Sequence, residues 1–366
     1  MSPIREHNDD DSSCDSKKLM VHSRQMTRLA HMFWSAGTVV KWTKVWQRKD
    51  EAGRKALEDS ASQDDKQIYA LVKLLVSLEP DVVMELARGG RGACALTELT
   101  EFQLSRGQSN AKAEDMRKVR SLLSMWRIWA HSQRPDAEDP LTRGLHNSET
   151  AYFLSSLNTD WDNLDERRKF MNGEMEMSEL DFPRLCYPEG KGDKIKPWVD
   201  IFRGELLLRA ASSIIFSPAS SRGDRATTMV VGGSRGHRCS AKSRGPIGLA
   251  KRYDMTEVTT PFIAYVTVVV RHALTSDQDY SDDGSGFDYE LFYNEIREYL
   301  EDPKHAQVTA KVVNFWNNEL FGCFRFRKAT GVRTENAGTR AALDAALEAG
   351  EDLGLSDAEE TQADAA

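Results

Sequence analysis

The stretch Thr259-Thr260-Pro261-Phe262-Ile263-Ala264-Tyr265-Val266-Thr267-Val268-Val269-Val270-Arg271-His272-Ala273-Leu274 decides the fold of this chain. Thr260 before Pro261 reads as a helix cap, because proline's missing N–H costs nothing at the first helical position. The β-branched run 266–270 would also suit a strand, where branched side chains pack well. Pro261 and the length through Leu274 favour a helix. Arg271 and His272 then fall in its last turn, where a cation meets the negative end of the helix dipole.

The segments downstream support the same reading. Ser285-x-x-Asp288 resembles a capping box opening a helix through Leu300. Pro303 separates it from a last helix in which Val308, Val312, Phe315, Trp316 and Leu320 share a face. Gly322 is a natural C-terminal stop. Three capped helices therefore surround one acidic turn.

Upstream, the pattern stays helical. Trp198 to Phe216 reads as a helix in which Glu205 and Arg209 stand four apart in the favourable order. Pro183 and Pro188 hold 182–188 extended. Met116, Val119, Leu122, Leu123, Trp126 and Trp129 share one face of a helix over 112–130. Ile68, Leu71, Val72, Leu75 and Leu78 follow the i, i+3, i+4, i+7 pattern, and Pro80 ends or bends that helix. Trp42 and Trp46 share a face and would offer an interaction surface if that segment stayed unpacked.

The expected architecture is mostly α: an irregular multi-helix domain with a long flexible loop and disordered termini. Its parts are a disordered tail over 1–25, an N-terminal helical region over 26–132 and a linker over 133–149. A main helical domain spans 150–325 and contains a basic flexible loop over 217–252. An acidic, alanine-rich tail covers 326–366.

The chain has 366 residues, 40% hydrophobic and 29% charged, enough to bury a core and too apolar for wholesale disorder. Its net charge of −8 argues against bulk polyanion binding. Five scattered cysteines with no C-x-x-C pair argue against a disulfide framework and fit a reducing compartment. Met1 to Lys18 lacks the apolar core of a signal peptide. The apolar run 262–270 is far shorter than the roughly 20 residues a membrane span needs. Cytosol or nucleus is the expected location, with no membrane partner.

The order Phe182-Pro183-Arg184-Leu185-Cys186-Tyr187-Pro188, Leu206-Leu207-Leu208-Arg209-Ala210-Ala211, Glu257-Val258-Thr259-Thr260-Pro261 and Asn314-Phe315-Trp316-Asn317 carries a resemblance. It is similar to a domain of unknown function found in mushroom-forming basidiomycete fungi. The likeness covers about residues 150–322 and weakens upstream toward residue 25. Ser217-Pro218-Ala219-Ser220 stands where that family has a Gly-Pro-Ser-Ser turn. The resemblance implies a helical domain and a fungal source, and it brings no functional residues with it.

Two constellations carry chemistry. The acidic turn places Asp279, Ser281, Asp283 and Glu290 in calcium-loop register, with Gly284 at the sharp turn. Gly286 stands where a branched side chain normally pairs two such loops, and the chain has no second loop. The competing reading is a polar turn in which Asp288 or Ser285 caps a helix. The basic loop gathers Arg222, Arg225, Arg235, Arg238, Lys242, Arg244, Lys251 and Arg252 against a lone Asp224. Such a cluster neutralises phosphates without sequence preference, although no aromatic residue is present to stack on bases. Its bland counterpart is a solvated insert.

No phosphate loop, nucleophile elbow, H-E-x-x-H or zinc pattern occurs. No catalytic residue and no cofactor are expected. The sequence reads as a non-enzymatic helical binding or scaffold protein with a protein partner. The alternative is a nucleic-acid-associated nuclear protein acting through 222–252.

Overall fold

A computed structural model describes residues 9–89, 92–126, 128–129, 134–175, 177–216, 248–278, 280 and 286–329. Its regular elements among these residues are α-helices and short 3-10 turns, and one isolated bridge joins Ser156 to Pro183. The mostly α expectation holds. The chain divides into a compact unit Met1–Leu320 and a second unit from Phe321. The packing and sites considered below lie in the first.

The centre of that unit is α11 (Thr260–Leu274), buried on every side from Phe262 to Leu274. A helix that is apolar all round is a core helix, which is why the β-branched run is helical here. Neighbouring helices supply a complete apolar environment, and this outweighs the small intrinsic penalty of valine. Thr259 is the cap, accepting from the Phe262 N–H, so the helix begins one residue earlier than Thr260 suggested.

Two long helices pack on α11. These are α1 (Asp9–Leu29) and α6 (Ala93–Leu123). They approach closely at Gly107, where a Cβ would lie 2.6 Å from that of Ser23. The Ser23 hydroxyl donates to the Leu104 carbonyl across the same contact. Helix α1 corrects the disordered reading over 9–25, where Leu19 and Ser23 are buried, as is Met26 beyond them; residues 1–8 lie outside the described residues. Its low apolar content hid a narrow stripe that a partner helix covers.

A second cluster joins α2 (Ala36–Gln47), α4 (Gln63–Leu78) and α5 (Pro80–Arg88), with α3 (Glu51–Asp59) beside α4. Pro80 opens α5, as its position predicts. Trp42 and Trp46 both meet the Tyr69 ring, at 5.3 and 5.6 Å between centroids, so they form packing and not a free face.

Several boundaries moved. Helix α6 begins at Ala93 and stops at Leu123, short of Trp126 and Trp129. The chain folds back there, and the Trp129 indole N–H donates to the Leu123 carbonyl at 2.6 Å, satisfying a helix-end acceptor. The segment 133–149 does not divide two domains, because α1 and α6 pack directly on α11. Residues 182–188 turn through the 3-10 segment Arg184–Cys186 and do not run fully extended.

Further along, α7 (Ser148–Leu154) and α8 (Leu164–Met171) precede α9 (Glu205–Ile215). Helix α9 starts well after Trp198, because Asp200 and Phe202 adopt left-handed backbone (φ 57° and 56°). Helix α10 (Leu249–Arg252) replaces the end of the expected loop. Then α12 (Tyr289–Glu301) and α13 (Ala306–Ala329) follow, the latter running through Gly322.

Candidate functional site

A cleft of about 240 Å³ opens where α7, α9 and the two 3-10 turns Arg184–Cys186 and Pro188–Gly190 meet. Its walls are Phe153, Leu185, Tyr187 and Leu206. Tyr152 stands beside them, and Glu149, Glu189 and Glu205 contribute carboxylates.

Local sequence fixes each of these groups. Asn147 caps α7, accepting from the N–H groups of Glu149 (2.9 Å) and Thr150 (3.3 Å), which places Glu149 in the first turn. The Tyr152 hydroxyl donates to the Gly190 carbonyl at 3.1 Å. Arg184 lies 4.9 Å from the Tyr152 ring centroid and is itself buried, donating to the Ser155 hydroxyl and the Thr159 carbonyl. Glu189 sits in the left-handed region (φ 52°), and Gly190 follows in the same region (φ 69°). Gly204 passes so close to the Leu185 carbonyl that a Cβ would lie 2.0 Å from its oxygen.

The charges around this cleft are partly answered from within. Arg209 donates to Glu205 at 2.8 Å, the i, i+4 pair its spacing predicts. Lys191 meets Glu189 at 2.9 Å on the exposed rim. The hydrogen bond from Lys191 holds the Glu189 carboxyl below its ordinary range. Burial pushes the Tyr187 phenol well above its ordinary value, so it is a neutral donor to the Pro197 carbonyl at 2.9 Å.

That last bond ties the cleft to an apolar ridge. Ile195 is 84% exposed, Trp198 51% and Val199 43%. The Asp193 carboxylate accepts from the Ile195 and Lys196 N–H groups at 2.8 and 3.2 Å, which fixes the turn presenting them. Sequence reading missed both features. Trp198 was assigned to a helix, and the three glutamates are 56 residues apart at their extremes, so spacing carried no signal.

The sites read from sequence fall differently. Glu290 lies exposed in the first turn of α12, while Asp279, Ser281 and Asp283 lie outside the described residues. Asp288 caps α12, accepting from the Leu291 N–H at 2.9 Å, as the polar-turn reading expects. Among the described residues no group of three or more His, Cys, Asp or Glu is placed to hold a metal. In the basic loop, Lys251 and Arg252 are exposed on α10. Arg222, Arg225, Arg235, Arg238, Lys242 and Arg244 lie outside the described residues.

His272 is fully buried, its ring centroid 4.0 Å from that of Tyr280. Arg120 Nη2 lies 3.3 Å from its Nδ1. The same Nη2 donates to the His272 carbonyl at 3.1 Å, so α6 brings a cation to this end of α11. Two described cysteines are poor nucleophiles: burial pushes the Cys186 thiol up, and the Glu98 hydrogen bond does the same to Cys94. No described helix is long and apolar enough to cross a membrane.

Neither curated proteins nor solved structures give a match to this chain. A family model described as a family of unknown function (DUF6698) matches residues 106–321. That match begins inside α6, upstream of the 150 that the sequence resemblance suggested, in keeping with the direct packing of α6 on α11. The chain belongs to this family of unknown function, DUF6698.

Proposed function

We propose that this protein is a non-enzymatic helical binding protein that takes a basic, apolar-flanked segment of a protein partner at the cleft and ridge between residues 149 and 206. The observation that carries this reading is the pairing of an acidic, aromatic-walled cleft with the exposed Ile195, Trp198 and Val199. Aromatic anchors beside a recess are the usual energetic centre of protein interfaces. A lysine or arginine entering between Tyr152 and the glutamates would gain cation–π and charge-assisted contacts. An aliphatic neighbour would cover Trp198.

The resemblance to a basidiomycete family supports a fungal source, and the cysteine pattern supports an intracellular setting. The nucleic-acid reading competes with this one and draws on the exposed Lys251 and Arg252. Display of a random peptide library against the full chain separates the two. Enrichment of Lys or Arg beside an aliphatic residue, lost in Trp198→Ser and in Glu149→Gln, supports the proposal. Enrichment of acidic peptides, or enrichment that survives both changes, sinks it. Salt-sensitive binding of random duplex DNA, lost on neutralising Arg235, Arg238, Lys242 and Arg244, would favour the competitor.

A further inference from the structure

Arg271 lies in the last turn of α11 and is 2% exposed. A guanidinium stays protonated in proteins, and a buried charge normally requires a partner. Among the described residues Arg271 has none of opposite sign in contact. Its carbon sits 3.4 Å from the Phe287 ring centroid, Nη2 lies 3.8 Å from Met177 Sδ, and Nε has no acceptor.

Two nearby acids among the described residues have other partners. Asp277 accepts from the Tyr289 hydroxyl, and Glu179 accepts from the Asp288 N–H at 3.0 Å. Both attract Arg271 only from a distance, and burial outweighs them and drives its pKa down. Cys186 is close, but burial keeps its thiol neutral.

Arg271 also lines a small cavity together with Ser156, Thr159 and Ser178. Its free volume is about 30 Å³, room for roughly two waters or one halide ion. The Ser156 hydroxyl accepts the Asn158 N–H at 3.2 Å, and Ser178 accepts the Leu180 N–H at 3.2 Å. Each hydroxyl accepts one hydrogen bond and keeps its proton to donate. Leu154, Phe170 and Met175 supply apolar wall. Asp181 is the lining group of the wrong sign, and it is exposed at the rim, where solvent and salt screen it.

We propose that this cavity binds a monovalent, chloride-sized anion, held by the Arg271 guanidinium and the hydroxyls of Ser156, Thr159 and Ser178. A space of this size suits a small ion, and Asp181 disfavours multivalent ones. Binding to the folded state alone raises stability with anion concentration.

The test is thermal melting of the full chain at constant ionic strength while chloride replaces gluconate. The expected result is a saturable rise in midpoint of several degrees, abolished in Arg271→Met, with the chloride requirement raised at least tenfold in Ser178→Ala. Crystals grown in bromide should show an anomalous peak in the cavity. A wild-type midpoint indifferent to chloride, or a cavity without bromide, overturns the site. So does a chloride response unchanged in Arg271→Met. Should that variant fail to fold, the wild-type titration, Ser178→Ala and the bromide peak decide the matter.

Discussion

Arg28 and Arg271 are both almost fully buried, at 3% and 2% exposure, yet their surroundings differ. Arg28 lies where α1, α6 and α11 meet. It donates to both oxygens of Asp115, at 2.6 and 3.1 Å, and to the Tyr253 hydroxyl at 3.0 Å. The Tyr265 hydroxyl completes the carboxylate at 2.8 Å. Burial opposes the Arg28 charge, but Asp115 together with Tyr265 and Tyr253 more than offsets it and raises its pKa. Arg271 stands at the other end of α11 with a phenyl ring, a thioether and a cavity. One buried charge is answered by a carboxylate, and the other meets none among the described residues. The first arrangement serves folding; the second is the kind of residual potential that a ligand uses.

The comparison is easiest to break at Asp115. Asp115→Ala leaves the buried Arg28 only the half-exposed Glu114 at 3.7 Å and should cost about 3–5 kcal/mol. A urea midpoint indistinguishable from wild type would show that Arg28 is not committed to this pair.

His31 probes a buried base next to a cation. Burial and then Arg297 lower its pKa to about 3, from 6.5. The unfolded chain therefore binds a proton below pH 6.5 that the folded chain refuses. Stability is unaffected above pH 6.5 and falls by up to about 1.4 kcal/mol per pH unit as pH drops toward 3. His31→Gln should flatten that slope in urea unfolding between pH 4 and 7, and an unchanged slope would assign the acid sensitivity to other groups.

Tyr265→Phe removes one hydroxyl from the satisfied network and should cost about 1 kcal/mol. The smallest effect belongs to Arg271. With no ion pair to break among the described residues, Arg271→Met in chloride-free buffer should change stability by less than about 1 kcal/mol, or increase it. A loss as large as that of Asp115→Ala would mean that the two arginines are equivalent after all.

Helices that carry their own apolar periodicity were legible from sequence. Ile68, Leu71, Val72, Leu75 and Leu78 predicted α4, and Pro80 marked its end. Glu205 and Arg209 were recognisable as a pair. Helix α1 was not legible, because its buried stripe is narrow and its value depends on Gly107 of a helix about 80 residues away. The end of α6 was hidden for a similar reason: Trp126 and Trp129 continue the helical spacing, but the Trp129 indole closes the helix end.

The candidate cleft was less legible still. Glu149, Glu189 and Glu205 form no motif, and Ile195 and Trp198 look like ordinary core residues until the left-handed turns at Asp200 and Phe202 expose them.

By itself the sequence determined the helical class, the Pro80 boundary and the largely apolar character of α11, since these follow from local hydrogen bonding and periodicity. Only the tertiary structure decided which buried charges are matched. Arg28 and Asp115 are 87 positions apart, and nothing in the sequence near Arg271 reveals that no carboxylate among the described residues pairs with it. Pairing inside a low-dielectric core depends on distances of a few ångströms between remote segments, and those distances exist only once the helices have packed.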